Sequence, residues 1–401
     1  MWLVLLFLLL FSGSTPSTAP AETCPVLSPD DDIPDSCALQ ELLDSGGRIE
    51  LAAPADSESP GYILDQGLRL WVRGTTVVGP SAESKALIVA DPDIAEAMLA
   101  AKADDFTMAN VIFDGNRDQR RHMIPSCVAG RGNAYNLILR GANFVVHGLE
   151  STHALCGSAM AVEGRDFRIH DNWIADNGWD IFEQAGGKLE VWADGMTVWR
   201  CDHGQIHDNW FEDNTDIDIV VGGGPGCQVL NNEIHHVRKY GFGGIHVGWF
   251  PNGDGNHEGS IFEGNRIVSE PNRLHFGLLL GFHPWNRNIW LEDGGRIADN
   301  YIEGAGINLA IDGVVKAEVV WNTLGFNSHD VNFQSCPVSG VSSVAGVLAP
   351  SFAVHTPHAP LAPDDLQSGA LCMNLDEGQC GPCSAFSTRP RPESGVPPSQ
   401  R

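Results

Sequence analysis

The sequence predicts an all-β chain wound as a parallel β-helix, a solenoid of short strands, and three observations carry that expectation. An Asn follows short β-like segments repeatedly, at Asn172, Asn209, Asn232, Asn265, Asn300 and Asn322, in turns such as Ile169-His170-Asp171-Asn172-Trp173 and Ile206-His207-Asp208-Asn209-Trp210. Stacked in register, such side-chain amides pair from coil to coil and tolerate the special backbone of a turn. Apolar residues alternate in short runs that return at the spacing of one coil, three short strands plus variable loops. Finally, 401 residues are long for one ordinary globular core and normal for a solenoid, whose core does not grow in radius. A leucine-rich repeat would carry Leu at fixed positions, and a propeller would need blades of four longer antiparallel strands.

In chain order, Met1–Phe11 is an uncharged apolar run, and Ala19-Pro20-Ala21 offers a cleavage site before Glu22. Residues 1–21 therefore predict a signal peptide, the run being short for a membrane anchor. The expected location is secreted or periplasmic, with no membrane attachment after signal cleavage. Residues 22–337 are assigned to the β-helix domain with its N-terminal cap, and residues 338–401 to a Cys-containing, Pro-rich, partly disordered C-terminal segment. Ten cysteines in an exported chain predict disulfides whose pairing the sequence leaves open.

A short amphipathic helix over Cys37–Asp44, with Leu39, Leu42 and Leu43 on one face and Gly46-Gly47 as its stop, would close the exposed end of the solenoid. Strands are expected at Arg48–Leu51, Leu68–Val72, Thr75–Val78 and Thr107–Phe113, with a helical insertion at Ile94–Lys102. In the regular core the inward pairs are Met160/Val162, Met196/Val198, Ile217/Ile219, Ile245/Val247 and Ile307/Leu309.

The net charge of −27 makes nucleic acid a poor partner and favours a neutral or cationic glycan over a strongly anionic one, unless calcium bridges the charges. No Asn-x-Ser/Thr glycosylation signal is present.

The stretches Leu39-Gln40-Glu41-Leu42-Leu43-Asp44-Ser45-Gly46-Gly47-Arg48-Ile49-Glu50-Leu51 and Gly67-Leu68-Arg69-Leu70-Trp71-Val72-Arg73-Gly74-Thr75-Thr76-Val77-Val78-Gly79 resemble the capping helix and early coils of the pectate-lyase-like right-handed parallel β-helix superfamily. The resemblance spans about residues 38–335 and implies the fold. Its members include polysaccharide lyases, glycoside hydrolases, uronate epimerases and surface proteins that bind. A looser likeness joins Ala193-Asp194-Gly195, Asp216-Ile217-Asp218 and Gly244-Ile245-His246 to the successive Asn-Thr-Asp, Asp pair and Gly-His-Gly elements of polygalacturonase-type hydrolases. Here Ile separates the two Asp residues and Ile precedes His246.

From the residues themselves, period-two alternation in Thr215–Val220 puts Ile217 and Ile219 inside and Asp216 and Asp218 outside, about 6.6 Å apart along the strand. Carboxylates of inverting glycosidases stand about 6.5–9.5 Å apart. Aligning Ile219 with Val247 places His246 beside Asp218, with Thr197 on the other side. The catalytic expectation is thus Asp216 and Asp218 as acid and base, supported by His246. Asp194, Thr197, Trp199, Lys239, Tyr240, Trp249 and Trp285 are the expected substrate contacts, the aromatic rings offering flat faces to sugars. No cofactor is required. Calcium is the possible one, held by Asp194, Asp216 and Asp218, which suits a lyase or epimerase acting on a uronate. Outward Asp residues also serve simply to keep a solenoid soluble. His170 and His207 repeat at equivalent places and are expected to be architectural, as are Trp173 and Trp210. The adjacent pair His235-His236 should point two ways on its strand.

The function expected is a secreted carbohydrate-active enzyme, a glycoside hydrolase cleaving a polysaccharide or oligosaccharide by Asp acid/base catalysis. The alternatives are a polysaccharide lyase or uronate epimerase using calcium, and a non-catalytic glycan-binding surface solenoid.

Overall fold

The computed structural model describes residues 24–325, except 125–126, 128–134, 180–191, 250–252, 272, 282–290, 292, 313 and 315–316, together with the strands Ser343–Ala345, Phe352–His355 and Ala370–Leu371. Trp285, the cysteines from Cys336 onward and the expected signal peptide lie outside the described residues.

Three parallel sheets run through the described residues, and from Arg48 to Leu324 each strand pairs with the strands three positions earlier and later in sequence. Sheet A begins at Arg48–Glu50, sheet B at Tyr62–Leu64 and sheet C at Leu68–Leu70. From Arg48 to Leu324 successive coils contribute one strand to each, which is the expected β-helix. The strands of sheets A and B are short, mostly three residues with a single inward side chain, such as Ile169, Ile206 and Val229 in sheet A. Those side chains join one continuous apolar core from Leu39 to Leu324. Stacking like residues fills it: Phe106, Phe144 and Phe167 lie face to face at 4.7 and 5.0 Å.

The corner between sheets A and B explains the Asn repeat. The residue before each Asn adopts a left-handed conformation, at Asp171, Asp208, Asn231, Gly264, Asp299 and Trp321. Asp, Asn and Gly tolerate that region, and Trp321 is the exception. The Asn side chain then turns inward and donates to the amide oxygen of the next: Asn172 to Asn209 at 2.8 Å, and Asn209, Asn232, Asn265 and Asn300 each to its successor at 2.9 Å. All six are buried. A second, shorter pair, Asn177 to Asn214 at 2.7 Å, occupies the corner between sheets B and C.

The capping helix spans Ser36–Ser45 and ends on Gly46, whose N–H returns to the Leu42 carbonyl. Leu39 and Leu43 enter the core as expected, while Leu42 is exposed. A Cys24–Cys37 disulfide ties the preceding segment to the helix, and Cys127–Cys156 and Cys201–Cys227 make two further bridges. The helical insertion expected at Ile94–Lys102 is not there. Leu99–Lys102 is a strand of sheet C, because Leu99 and Ala101 fill inward positions between Leu68/Leu70 and Leu137/Leu139.

On the outer face, His147, His170 and His207 stack at 5.3 and 4.9 Å, an architectural ladder. His235 faces out against Trp210, rings 4.3 Å apart, and His236 faces in. Among the described residues no helix is long and apolar enough to cross a membrane.

Candidate functional site

The acidic residues singled out in the sequence gather on sheet C, in the strands Ala193–Asp202 and Ile217–Val221 and the segment just before the latter. Simple alternation fails here for a physical reason. At one level of sheet C each strand bends so that two consecutive residues face the interior. Ala159 and Met160 both belong to the core. A side chain at Gly195 would meet Phe211, one at Gly244 would meet Ile267, and one at Gly277 would meet Ile302, all core residues. Register places Asp218 in this column, between Gly195 and Gly244. It is the one charged member of a column of small residues.

The expected geometry is therefore corrected at three points. Asp218 faces the interior, fully buried, rather than solvent. Ile217, expected inside, lies in a small outer cluster with Val220 and Phe242. His246 aligns with Val220, and Ile219 with Ile245, so neither His246 nor Thr197 flanks Asp218. Thr197, Val220, His246 and Leu279 form one row on the outer face.

The partner of Asp218 is a residue that the alternation argument left aside. His236 Nε2 lies 2.7 Å from Asp218 Oδ2, and Asn214 Nδ2 donates to Asp218 Oδ1 at 2.8 Å. Burial pushes the Asp218 carboxyl up, against the pull of His236. Burial alone would lower the His236 imidazole, but the facing carboxylate and their hydrogen bond lift it.

Asp194 stands on the other side of the sheet. Its Oδ2 accepts from Thr197 Oγ1 and its Oδ1 from the Ile217 N–H at 3.2 Å. The Ser158 hydroxyl, 2.5 Å from that of Thr197, completes a buried chain. Burial, against these hydrogen bonds and helped by the Asp218 charge, pushes the Asp194 carboxyl up to about 7. Asp216 is on the next coil, its N–H donating to the Ala193 carbonyl at 3.2 Å. Asp194 and Asp216 are 1 % and 2 % exposed. The Tyr135 phenol, pushed up to about 12 by burial and by Asp194, packs edge-on to Trp199 at 6.5 Å, and Arg140 covers the Trp199 ring at 4.9 Å.

The remaining expected contacts sit elsewhere. His246, lowered to about 3 by burial, donates from Nε2 to the Gly281 carbonyl at 2.6 Å. Lys239 is buried in an ion pair with Asp176, which also engages His153 and Arg117. Tyr240 is buried, and Trp249 packs against the core. Calcium needs six or more oxygens around one point. Among the described residues, Asp194, Asp216 and Asp218 do not bring their oxygens within 4.8 Å of one another, and the one trio that does reach such spacing, Cys24, Cys37 and Glu41, contains a disulfide.

The Asp194 carboxyl has a consequence for stability. Its folded value lies above the ordinary value of 3.8, so the folded state binds the proton more tightly. Stability is therefore highest below pH 4 for this group and falls as pH rises to about 7. Asp194→Asn, which keeps the shape and can still accept from Ile217, should raise stability at pH 8 by a few kcal/mol and leave it unchanged near pH 4. Urea midpoints at the two pH values check this, and equal midpoints at pH 8 would rule it out.

No protein-family model matches the chain, and no curated protein matches it. Solved structures do. The A-module of mannuronan C-5 epimerase AlgE6 from Azotobacter vinelandii is 12% identical with a TM-score of 0.55, over 86% of this chain and 97% of that one. The pre-mature form of bacteriophage phi29 gene product 12 is 12% identical with a TM-score of 0.56, over 80% of this chain and 44% of that one. An endo-xylogalacturonan hydrolase from Aspergillus tubingensis is 14% identical with a TM-score of 0.49, over 87% and 98%. At these identities the likeness is one of fold, the right-handed parallel β-helix.

Proposed function

We propose that this chain is an exported enzyme that hydrolyses a glycan on the outer face of sheet C, with Asp194 as proton donor and Asp216 as the second carboxylate. The observation that carries the reading is the Asp194 carboxyl, held near pH 7 on the outward side of the sheet by burial. A general acid works best when its proton affinity is close to the working pH, and enzymes tune carboxyls upward by burial for that purpose. Thr197 and Ser158 orient it, and Asp216 stands on the adjoining coil to activate water. Asp218, hydrogen-bonded to His236, acts from behind, its charge raising Asp194 without touching substrate. Both outer carboxylates are buried, so a sugar ring reaches them by displacing side chains over this face. The three disulfides suit an oxidising compartment.

A second reading is a uronate epimerase or lyase, epimerase being the activity named for one of the similar structures. What favours it is Tyr135, a phenol beside Asp194 on the same face with Arg140 close by. The overall charge of −27 weighs against a polyuronate.

Incubation with a panel of polysaccharides, followed by mass spectrometry, separates the readings. Hydrolysis adds the mass of water and a new reducing end, and elimination gives an unsaturated product absorbing in the ultraviolet. Asp194→Asn is expected to lower turnover more than about a hundredfold, the scale for a lost acid or base. Near-full activity in that variant would remove the assignment.

A further inference from the structure

A polar cavity of about 290 Å³ lies beside the capping helix, far from Asp194 along sheet C. Small-molecule sites run from about 300 to 1,000 Å³, so this one has room for a single ring. Gln40, Asp44, Arg69, Trp71 and Glu96 line it. Its walls are braced. Gln40 bridges Asp44 Oδ1 at 2.8 Å and the Arg69 backbone in both directions, and Glu96 Oε1 accepts from the Gly67 N–H at 2.9 Å. Each carboxylate commits one oxygen to the protein and keeps the other for a donor. Trp71 is 51% exposed, and Lys102 Nζ stands 5.4 Å over it.

This combination has a recognisable chemistry. Carboxylates and a guanidinium suit neighbouring hydroxyls, and an exposed indole suits the apolar face of a sugar. Asp44 and Glu96 are balanced by Arg69 and the Lys102 ammonium over Trp71, so the site carries no net charge and suits a neutral ligand. The cavity is also connected to the proposed site. Arg69, Ala100, Ile138, Ala161 and Thr197 are register partners in one row of the outer face. Four steps of about 4.8 Å place Thr197 some 19 Å from Arg69, roughly. Between the ends Ala100 and Ile138 are half-buried, and Ala161 is buried beneath a cluster with Ala97, Tyr135, Ile138 and Trp199, so a chain on this row would pass over those side chains.

We infer that this cavity is a distal subsite that holds one ring of a neutral polysaccharide whose chain runs along sheet C to Asp194. The inference rests on the glycan-acting reading and deepens it by naming the substrate class. The test uses the full chain carrying Asp194→Asn, so that turnover does not interfere, and titrates it by calorimetry with soluble xylan, glucomannan, mixed-linkage glucan and polygalacturonate. At least one neutral polymer is expected to bind. Adding Trp71→Ala should weaken that binding at least tenfold with an unchanged thermal midpoint, and Trp71→Phe, which restores a ring, should recover most of it. Undiminished binding in the Trp71→Ala variant overturns the subsite. Hydrolysis of a neutral polymer by the parent chain would then leave the glycan reading standing. Binding of polygalacturonate alone overturns the substrate class. Neither binding nor turnover of any polymer overturns the subsite and the glycan reading together.

Discussion

Asp218→Ala is expected to destabilise the fold by about 3–5 kcal/mol, the range for a buried ion pair that loses one partner. The variant leaves His236 fully buried, with Nε2 facing an empty position 2.7 Å away and Nδ1 held only by the Lys239 carbonyl at 3.4 Å. It also strips Asn214 Nδ2 of an acceptor. The loss should depend on pH with a defined sign. In the intact protein the carboxylate lifts the imidazole above its ordinary 6.5, so that contribution is full below pH 6.5 and fades as pH rises through the folded value. Without Asp218, burial is the largest remaining influence and lowers the imidazole, opposed by the Asp213 charge and the Lys239 carbonyl. The unfolded chain then takes up the proton first, and stability falls as pH drops below 6.5. The gap between variant and parent should therefore be wider at pH 5 than at pH 8 in urea melts. Asp218→Asn should cost less, since an amide still accepts from Asn214 and meets a neutral His236. A loss below about 1 kcal/mol in Asp218→Ala, or a gap that narrows at acid pH, would show that the pair does not hold this corner.

That pair marks where sequence reasoning ran out. Asp218 was expected to face solvent because strands alternate, and alternation is sound for a uniform strand. Sheet C is not uniform. Its bend turns two successive residues inward, and the trace of that bend is Gly195, Gly244 and Gly277, each directly before an inward Met, Ile or Leu. Read as a column, those glycines mark the position of Asp218 as interior. The register error had another origin. Ile245 and Val247 are both inward, so parity cannot say which one meets Ile219, and choosing Val247 moved His246 two residues away from its true neighbour, Val220. Asp194 and Thr197, three apart across the same bend, share the outer face for the same reason. By contrast the Asn corner was legible, because each Asn carries its own turn chemistry and recurs once per coil.

Asn209→Ala should be among the most damaging single changes in the chain, at about 3 kcal/mol or more, since each buried polar group left without a partner costs about 1–3 kcal/mol. Asn209 Oδ1 accepts from both the backbone N–H and the side-chain amide of Asn172, at 3.1 and 2.8 Å. Its Nδ2 donates to Asn232 Oδ1, to the Ile169 carbonyl and to the His207 carbonyl. Alanine silences all of these in a place that is almost wholly buried. Asn172→Ala should be milder. At that end of the ladder Oδ1 serves a single donor, the Leu149 N–H, so no side-chain amide is stranded there. Asn209→Asp should rescue little, because a carboxylate can accept from Asn172 but cannot donate to Asn232. Chemical melts of the three variants give the order, and hydrogen exchange locates the damage. In a solenoid each coil leans on its neighbours alone, so protection should be lost first around residues 169–173 and 206–210 and only later at the ends. A variant with a uniform loss of protection, or Asn172→Ala as damaging as Asn209→Ala, would mean that the ladder is a consequence of the corner and not its support.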